Sequence, residues 1–443
     1  MRMARVLLSS LLIWAAAAMP AEIPKLPEPY QSLADLARGA PPEFTADALL
    51  RIIEQGRVVD KDARRNLIEE AFGSAASAKF PVRMDGLPGT TTDTASGSQS
   101  RAYALKLDTL SIESRAVRDM LPLDSANARK LFGEISRPML SSLTCDDALV
   151  YDLSDFYQTL GAVVNSTFTP KERAKDEQLN FLNDYLGQAS SPLELGPLAQ
   201  AVQSVSATTQ QRQGLWARVS GLLESVQTDD RSFSASLPLL NLLTVPEMQT
   251  SLEKYRQKGH GCESDASSTP PNASNNAAPA AKKPSTPKLD LYWQSAASQQ
   301  LVQPGRKLRY STPNNQPLSD ADRATPEWQQ QVADYLNLVD GWTADQENSE
   351  ADYYHEKCTV LMALIELVPP GSLNDKLLAD YVDFISSSSL YQQSPAEWYL
   401  EPLALLDRFQ AKAAMRAKVL DAFQRSGNPI LSLEVTLERT LGR

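Results

Sequence analysis

The sequence predicts an all-α protein: stacked antiparallel helix hairpins, loosely repetitive in the manner of an α-solenoid, in two parts joined by a disordered linker. Three observations predict it. Leu, Ala, Gln, Ser and Glu dominate, whereas Gly (19 residues) and aromatics (7%) are scarce, and strands and tight hairpins need the latter. Apolar residues recur with a period near 3.6 instead of alternating. Capping residues stand just ahead of these periodic runs.

The first 21 residues read as a processing signal. Arg2 and Arg5 precede the short apolar run "VLLSSLLIWAAAA", and small residues follow at Ala18 and Ala21, where cleavage would fall. A second apolar run, "CTVLMALIELV", is far short of the ~18 residues that span a membrane, so no integral membrane segment is expected after signal removal. The reading is an exported, soluble protein, periplasmic or secreted. Losing the two signal arginines takes the formal charge from −11 to −13, which disfavours nucleic acid as a partner.

Residues 22–261 form the expected N-terminal helical domain. "ARRNLIEEAF" places Leu67, Ile68, Ala71 and Phe72 on one helix face, and "LWARVSGLLESV" does so with Leu215, Val219, Leu222, Leu223 and Val226. Thr169 before Pro170, and Ser191 before Pro192, read as an N-cap followed by an N1 proline. Thr144 before Asp146 and Asp147 reads as a further helix start. The polar stretches 85–100 and 310–325 read as long loops.

Residues 262–288 form the linker. From Glu263 to Lys288 there is no aromatic, Val, Ile, Leu or Met, so burial cannot offset the entropy of ordering. A flexible coil of this length spans roughly 28 Å. Residues 289–443 form the C-terminal helical domain. There "AMRAKVLDAF" repeats the apolar stripe, and Ser394-Pro395 repeats the helix start. Residues 191–226 and 394–423 echo each other: each opens Ser-Pro, passes through Leu-x-Pro-Leu-Ala and turns into a second striped helix. No tetratricopeptide or ankyrin consensus accompanies the echo.

The histidines and cysteines are few enough to weigh singly. His260, Cys262, His355 and Cys358 are metal-ligand types at usable spacing, and a zinc site is one reading. The stronger reading places Cys358 in the core, because it begins a stripe through Leu361, Leu364, Ile365 and Val368. His355, one turn earlier, then makes an ordinary hydrogen bond. In an oxidising compartment three cysteines allow one bridge. Cys145 and Cys262 lie in polar surroundings and are the expected pair, closing a loop that the chain-entropy model values at about 4 to 5 kcal/mol. Cys262–Cys358 is the competing pair, which would tie the two parts together.

Catalytic signatures are absent: no G-x-S-x-G, no phosphate-binding glycine loop and no H-E-x-x-H. Cys262 with His260 lacks a third group to orient the base, so no catalytic residue and no cofactor is assigned. "PGRKLRY" (304–310) is a basic run that could meet a partner's acidic patch. The expectation is a non-enzymatic helical scaffold or protein-binding module. The alternatives are an (α/α)-type polysaccharide or cell-wall hydrolase or lyase, with "YWQSAASQQL" and "SPAEWYLEP" lining its cleft, and a metal-handling protein.

Overall fold

Helix occupies the chain wherever the apolar stripes placed it. The computed structural model describes residues 26–86, 95–137, 139–226, 231–241, 245–258, 301, 305–311, 316–344 and 349–442. The signal segment 1–21 and the expected linker 262–288 lie outside them.

In chain order the first part carries α1 Tyr30–Ala37, α2 Pro42–Glu54, α3 Lys61–Ala75, β1 Met84–Gly86, α4 Ala95–Ala104, α5 Thr109–Met120 and α6 Ser125–Glu134. It continues with β2 Leu149–Tyr151, α7 Ser154–Ser166, α8 Pro170–Arg173, α9 Glu177–Leu186, α10 Pro192–Ser204, α11 Thr209–Ser225, α12 Arg231–Asn241 and α13 Gln249–Gln257. The second part carries α14 Asp320–Arg323, α15 Pro326–Asp340, α16 Glu350–Leu367, α17 Ser372–Ser387 and α18 Leu390–Gln393. It ends with α19 Pro395–Arg408, α20 Ala413–Arg425 and α21 Pro429–Leu437.

The helix starts follow from their caps. Asp60, Asp108 and Asp124 each accept a backbone N–H three residues on. Thr169 with Glu172, and Ser191 with Glu194, close reciprocal capping boxes ahead of an N1 proline. The predicted stripes face inward: Leu67, Ile68, Ala71 and Phe72 are buried, as are Cys358, Leu361, Leu364 and Ile365. Both segments of the internal echo fold as a helix followed by a second helix, α10 into α11 and α19 into α20.

Two local expectations need correcting. Thr144 does not begin a helix. Its N–H and hydroxyl both donate to Asp147, at 2.6 and 2.9 Å, and close a turn. The chain then enters β2, whose Leu149, Val150 and Tyr151 suit a strand and pair antiparallel with β1. The stretches 85–100 and 310–325 are not all loop either, since α14 occupies Asp320–Arg323 and α4 begins at Ala95. Ser and Gly give that helix little intrinsic support, so contact with α19 stabilises it.

The helices of the first part pack in a series, α2 on α3, α3 on α5, α5 on α7, α7 on α10 and α10 on α12. Ion pairs gather on two buried carboxylates, Asp47 and Asp155, and link these helices. Arg115 of α5 lies 2.7 Å from Asp47 of α2, and Arg51 reaches the other oxygen of Asp47 at 2.8 Å. Asp155 of α7 faces Lys106, Arg118 and Arg83 at 3.0, 3.5 and 3.6 Å. The two parts also meet. α1 packs on α21, α4 packs on α19, and Phe44 stands edge-on to Tyr399 at 5.3 Å. Their buried apolar side chains form one continuous cluster.

Pro402 inside α19 leaves the carbonyl of Trp398, four residues earlier, without its helical N–H. The Tyr354 hydroxyl of α16 donates to that carbonyl at 2.7 Å in a fully buried setting. Tyr354→Phe should therefore cost about 1–3 kcal/mol in urea unfolding, the penalty of an orphaned buried carbonyl. Adding Pro402→Ala, which restores an N–H to the helix, should recover part of that loss in a double-mutant cycle.

Candidate functional site

The next residue of α16 after Tyr354 is His355, and here the most concentrated chemistry among the described residues is gathered. Nδ1 lies 2.6 Å from Glu401 Oε1, and Nε2 lies 2.7 Å from Ser98 Oγ and 3.4 Å from Glu397 Oε1. Glu397 and Glu401 are successive turns of one face of α19, while Ser98 comes from α4 in the other part of the chain. All four side chains are buried. Burial by itself pulls the imidazole pKa down, but hydrogen bonds and charge from Glu397 and Glu401 outweigh it and raise it to about 9.

Ser98, His355 and Glu401 stand in the geometric order of nucleophile, base and orienting acid. Their protonation differs from that of such a triad. With a pKa of about 9 the ring is almost wholly protonated at neutral pH, so it donates to Ser98 and to Glu401 and takes no proton from the serine. Glu397 adds a second acid on the Nε2 side, where a working base keeps its lone pair open. The arrangement holds a buried imidazolium and clamps α4, α16 and α19 at one point.

Beside this clamp opens a cleft of about 820 Å³. His355, Glu356 and Glu401 reach its wall, Val360, Met362, Leu364 and Leu367 supply an apolar side, and Trp342, Tyr310 and Tyr335 supply aromatic surface. Four arginines line it: Arg101, Arg306, Arg309 and Arg408. Arg408 pairs with Glu366 at 3.2 Å, whereas Arg101 and Arg309 have no ion-pair partner among the described residues. Arg101 lies one turn beyond Ser98 on α4, so the clamp on Ser98 also sets where Arg101 stands. Trp342 is held from behind, its carbonyl accepting from Tyr353 Oη at 2.7 Å and Lys357 Nζ at 3.0 Å. A Cβ on Gly305 would stand 2.8 Å from Tyr335 Oη, so this glycine makes room for the tyrosine.

The sequence-derived candidates scatter. His260 and Cys262 lie outside the described residues, and so does the expected Cys145–Cys262 bridge, on its Cys262 side. Cys145 sits in the turn closed by Thr144 and Asp147. Cys358 is a free, buried thiol whose pKa is raised by burial, lying against Tyr354 and Tyr381. The sequence suggested an ordinary hydrogen bond for His355; instead the ring faces two acids and a serine. Among the described residues no group of three or more His, Cys, Asp and Glu is placed to hold a metal ion. "SPAEWYLEP" does not line the cleft with its tryptophan: Trp398 is fully buried and donates Nε1–H to the Ile385 carbonyl at 2.8 Å. Asn165 donates its side-chain amide to the Ser204 carbonyl and accepts from the Ser206 N–H.

Comparison with protein-family models, curated proteins and solved structures finds no match to this chain. Among the described residues no helix is long and apolar enough to cross a membrane.

The clamp has a pH signature. The folded-state pKa of His355 is raised above its unfolded value, so its stabilisation is fully present below about pH 6.5 and is lost as pH rises through about 9. The shift corresponds to about 3 kcal/mol. Urea unfolding at pH 6 and pH 9.5 should show that loss in the wild type, and His355→Gln should flatten the interval. His355→Ala, which leaves two buried acids without their cation, should cost about 3–5 kcal/mol near neutral pH.

Proposed function

We propose that this chain is an exported, non-enzymatic helical binding module, built from stacked helix hairpins, whose recognition surface for a protein partner is the arginine-lined cleft. One observation carries the reading. Four arginines, three aromatics and an apolar wall converge on a single concavity, while the histidine beside it is held protonated and buried. Arg and aromatic side chains are the residue types that dominate binding energy at protein interfaces. Export is proposed from the N-terminal signal pattern, and with it a Cys145–Cys262 bridge that ties the end of the first part back onto it.

A second reading has an observation of its own. Glu356 and Glu401 line one cleft together with Trp342, Tyr310 and Tyr335, the combination a hydrolase or lyase of the (α/α) type would need. The two readings diverge in a single preparation.

Placing a photo-crosslinking side chain at Tyr310, exposed at the cleft, in protein recovered from the exported fraction should trap a partner. Arg101→Glu with Arg309→Glu should abolish the trapping without lowering the melting temperature, because both arginines are exposed. Turnover of polysaccharide or cell wall, lost in Glu356→Gln, would replace the binding reading with the catalytic one. Digestion without reduction should yield a Cys145–Cys262 linked peptide, with Cys358 alkylated only after unfolding.

A further inference from the structure

The arginine-lined cleft does not end at its own walls. Tyr310 and Tyr335 also line a second cleft of about 600 Å³, formed by the 305–311 segment, α14 and α15. The two clefts are therefore neighbours across a tyrosine pair. Their charges are opposite. The first gathers Arg101, Arg306, Arg309 and Arg408 against Glu356 and Glu401. The second gathers Asp322, Glu327 and Asp334 against Lys307.

The boundary between them is built, not incidental. The Ser311 N–H donates to the Gln316 carbonyl at 2.8 Å and the Leu318 N–H to the Arg309 carbonyl at 2.9 Å, fixing the basic run as one arm of a short bridge. Trp328 of α15 donates Nε1–H to the Leu308 carbonyl at 3.1 Å, which ties that arm to the helix. Consecutive residues of the run thus face different ways: Arg306 and Arg309 line the first cleft, Lys307 and Leu308 the second. At the junction and beyond it, Tyr310 and Leu338 are 38% and 53% exposed, and both are large apolar surfaces that a partner would cover.

We infer that the two clefts form one bipolar groove that binds a peptide segment of the partner with segregated charge. Its acidic residues lie among the arginines, apolar or aromatic residues cross Tyr310 and Tyr335, and its basic residues lie against Asp322, Glu327 and Asp334. The inference rests on the binding reading above and names the partner's chemistry. Size favours a peptide over a small molecule, since the clefts together exceed the upper end of about 1,000 Å³ usual for small-molecule sites. Charge favours it too. In a chain of net charge −11 an acidic ligand is repelled elsewhere, and the arginine cleft is where it is accepted. The acidic cleft then fixes the direction in which the segment lies.

The test pans a random dodecapeptide display library on the full mature chain and measures synthetic winners by fluorescence polarisation. Winners are expected to carry acids and bases at opposite ends, separated by apolar residues. Arg101→Glu with Arg309→Glu should weaken them about tenfold or more, and Glu327→Gln with Asp334→Lys likewise, as lost charge-assisted contacts would. Neutralising the acidic end of the peptide should remove its sensitivity to the arginine pair while sparing its sensitivity to the Glu327 and Asp334 pair. Unchanged melting temperatures serve as the folding control, all four residues being surface side chains. Winners without charge segregation, winners indifferent to either variant, or no enrichment at all would overturn the bipolar groove. If the Tyr310 crosslink still traps a partner in that case, the binding reading survives and this inference alone falls. Polysaccharide turnover would instead remove the reading beneath it.

Discussion

His355 holds three hydrogen-bonding partners at once, and through them helices from both parts of the chain are fixed at one buried point. An imidazolium out of water is costly unless acids accompany it. Two acids do so here, which leaves one negative charge over. The first turn of α19 offsets that surplus, because Glu397 lies at its N-terminal, positive end. The cluster is thus a balance among one cation, two anions and a helix dipole. Removing any one member leaves the others uncompensated, and α4, with its weak helical composition, has little else to keep it in place.

The same two helices show a second compensation. Pro402 breaks the hydrogen-bond ladder of α19 and exposes the Trp398 carbonyl, and Tyr354 closes the gap from α16. Tyr354 and His355 are adjacent residues, so one short stretch of α16 answers both irregularities of its neighbour. A parallel contact occurs in the first part, where Tyr157 of α7 donates to Glu194 of α10 at 2.6 Å. Glu194 and Glu397 each stand three residues after a helix-starting Ser-Pro, Ser191-Pro192 and Ser394-Pro395. In both places an acid near the start of a proline-bearing helix is tied to an aromatic ring of the helix packed on it.

Much of the fold was legible because helical burial is a local pattern. The stripes around Leu67 and Cys358 declare their inner faces within two or three turns, and caps such as Thr169 and Ser191 mark their own starts. What misled was also local. Thr144 followed by acids satisfies a cap and a turn equally well, and only the pairing of Leu149–Tyr151 with Met84–Gly86 decides between them. α4 was hidden because tertiary contact, not propensity, makes it helical. The site was hidden for a different reason. Glu397 and Glu401 are visibly on one helix face, yet nothing in the intervening residues says that a histidine on another helix will lie between them. Arg306 and Arg309 were visible as a basic run, while Arg101, distant in sequence, offered no local sign that it would join them.

The contact between α1 and α21 has a consequence for the order in which this molecule can be completed. Leu33, Ala34 and Ala37 are fully buried, and the helix they belong to rests both on neighbouring α2 and on sequence-distant α21. The α1–α2 contact is local and can form early, whereas the α1–α21 contact joins segments far apart in sequence. Contacts between such distant residues are slow to form, since the intervening chain must be ordered or confined before they return any free energy. The fold is in this sense closed by a contact between segments far apart in sequence.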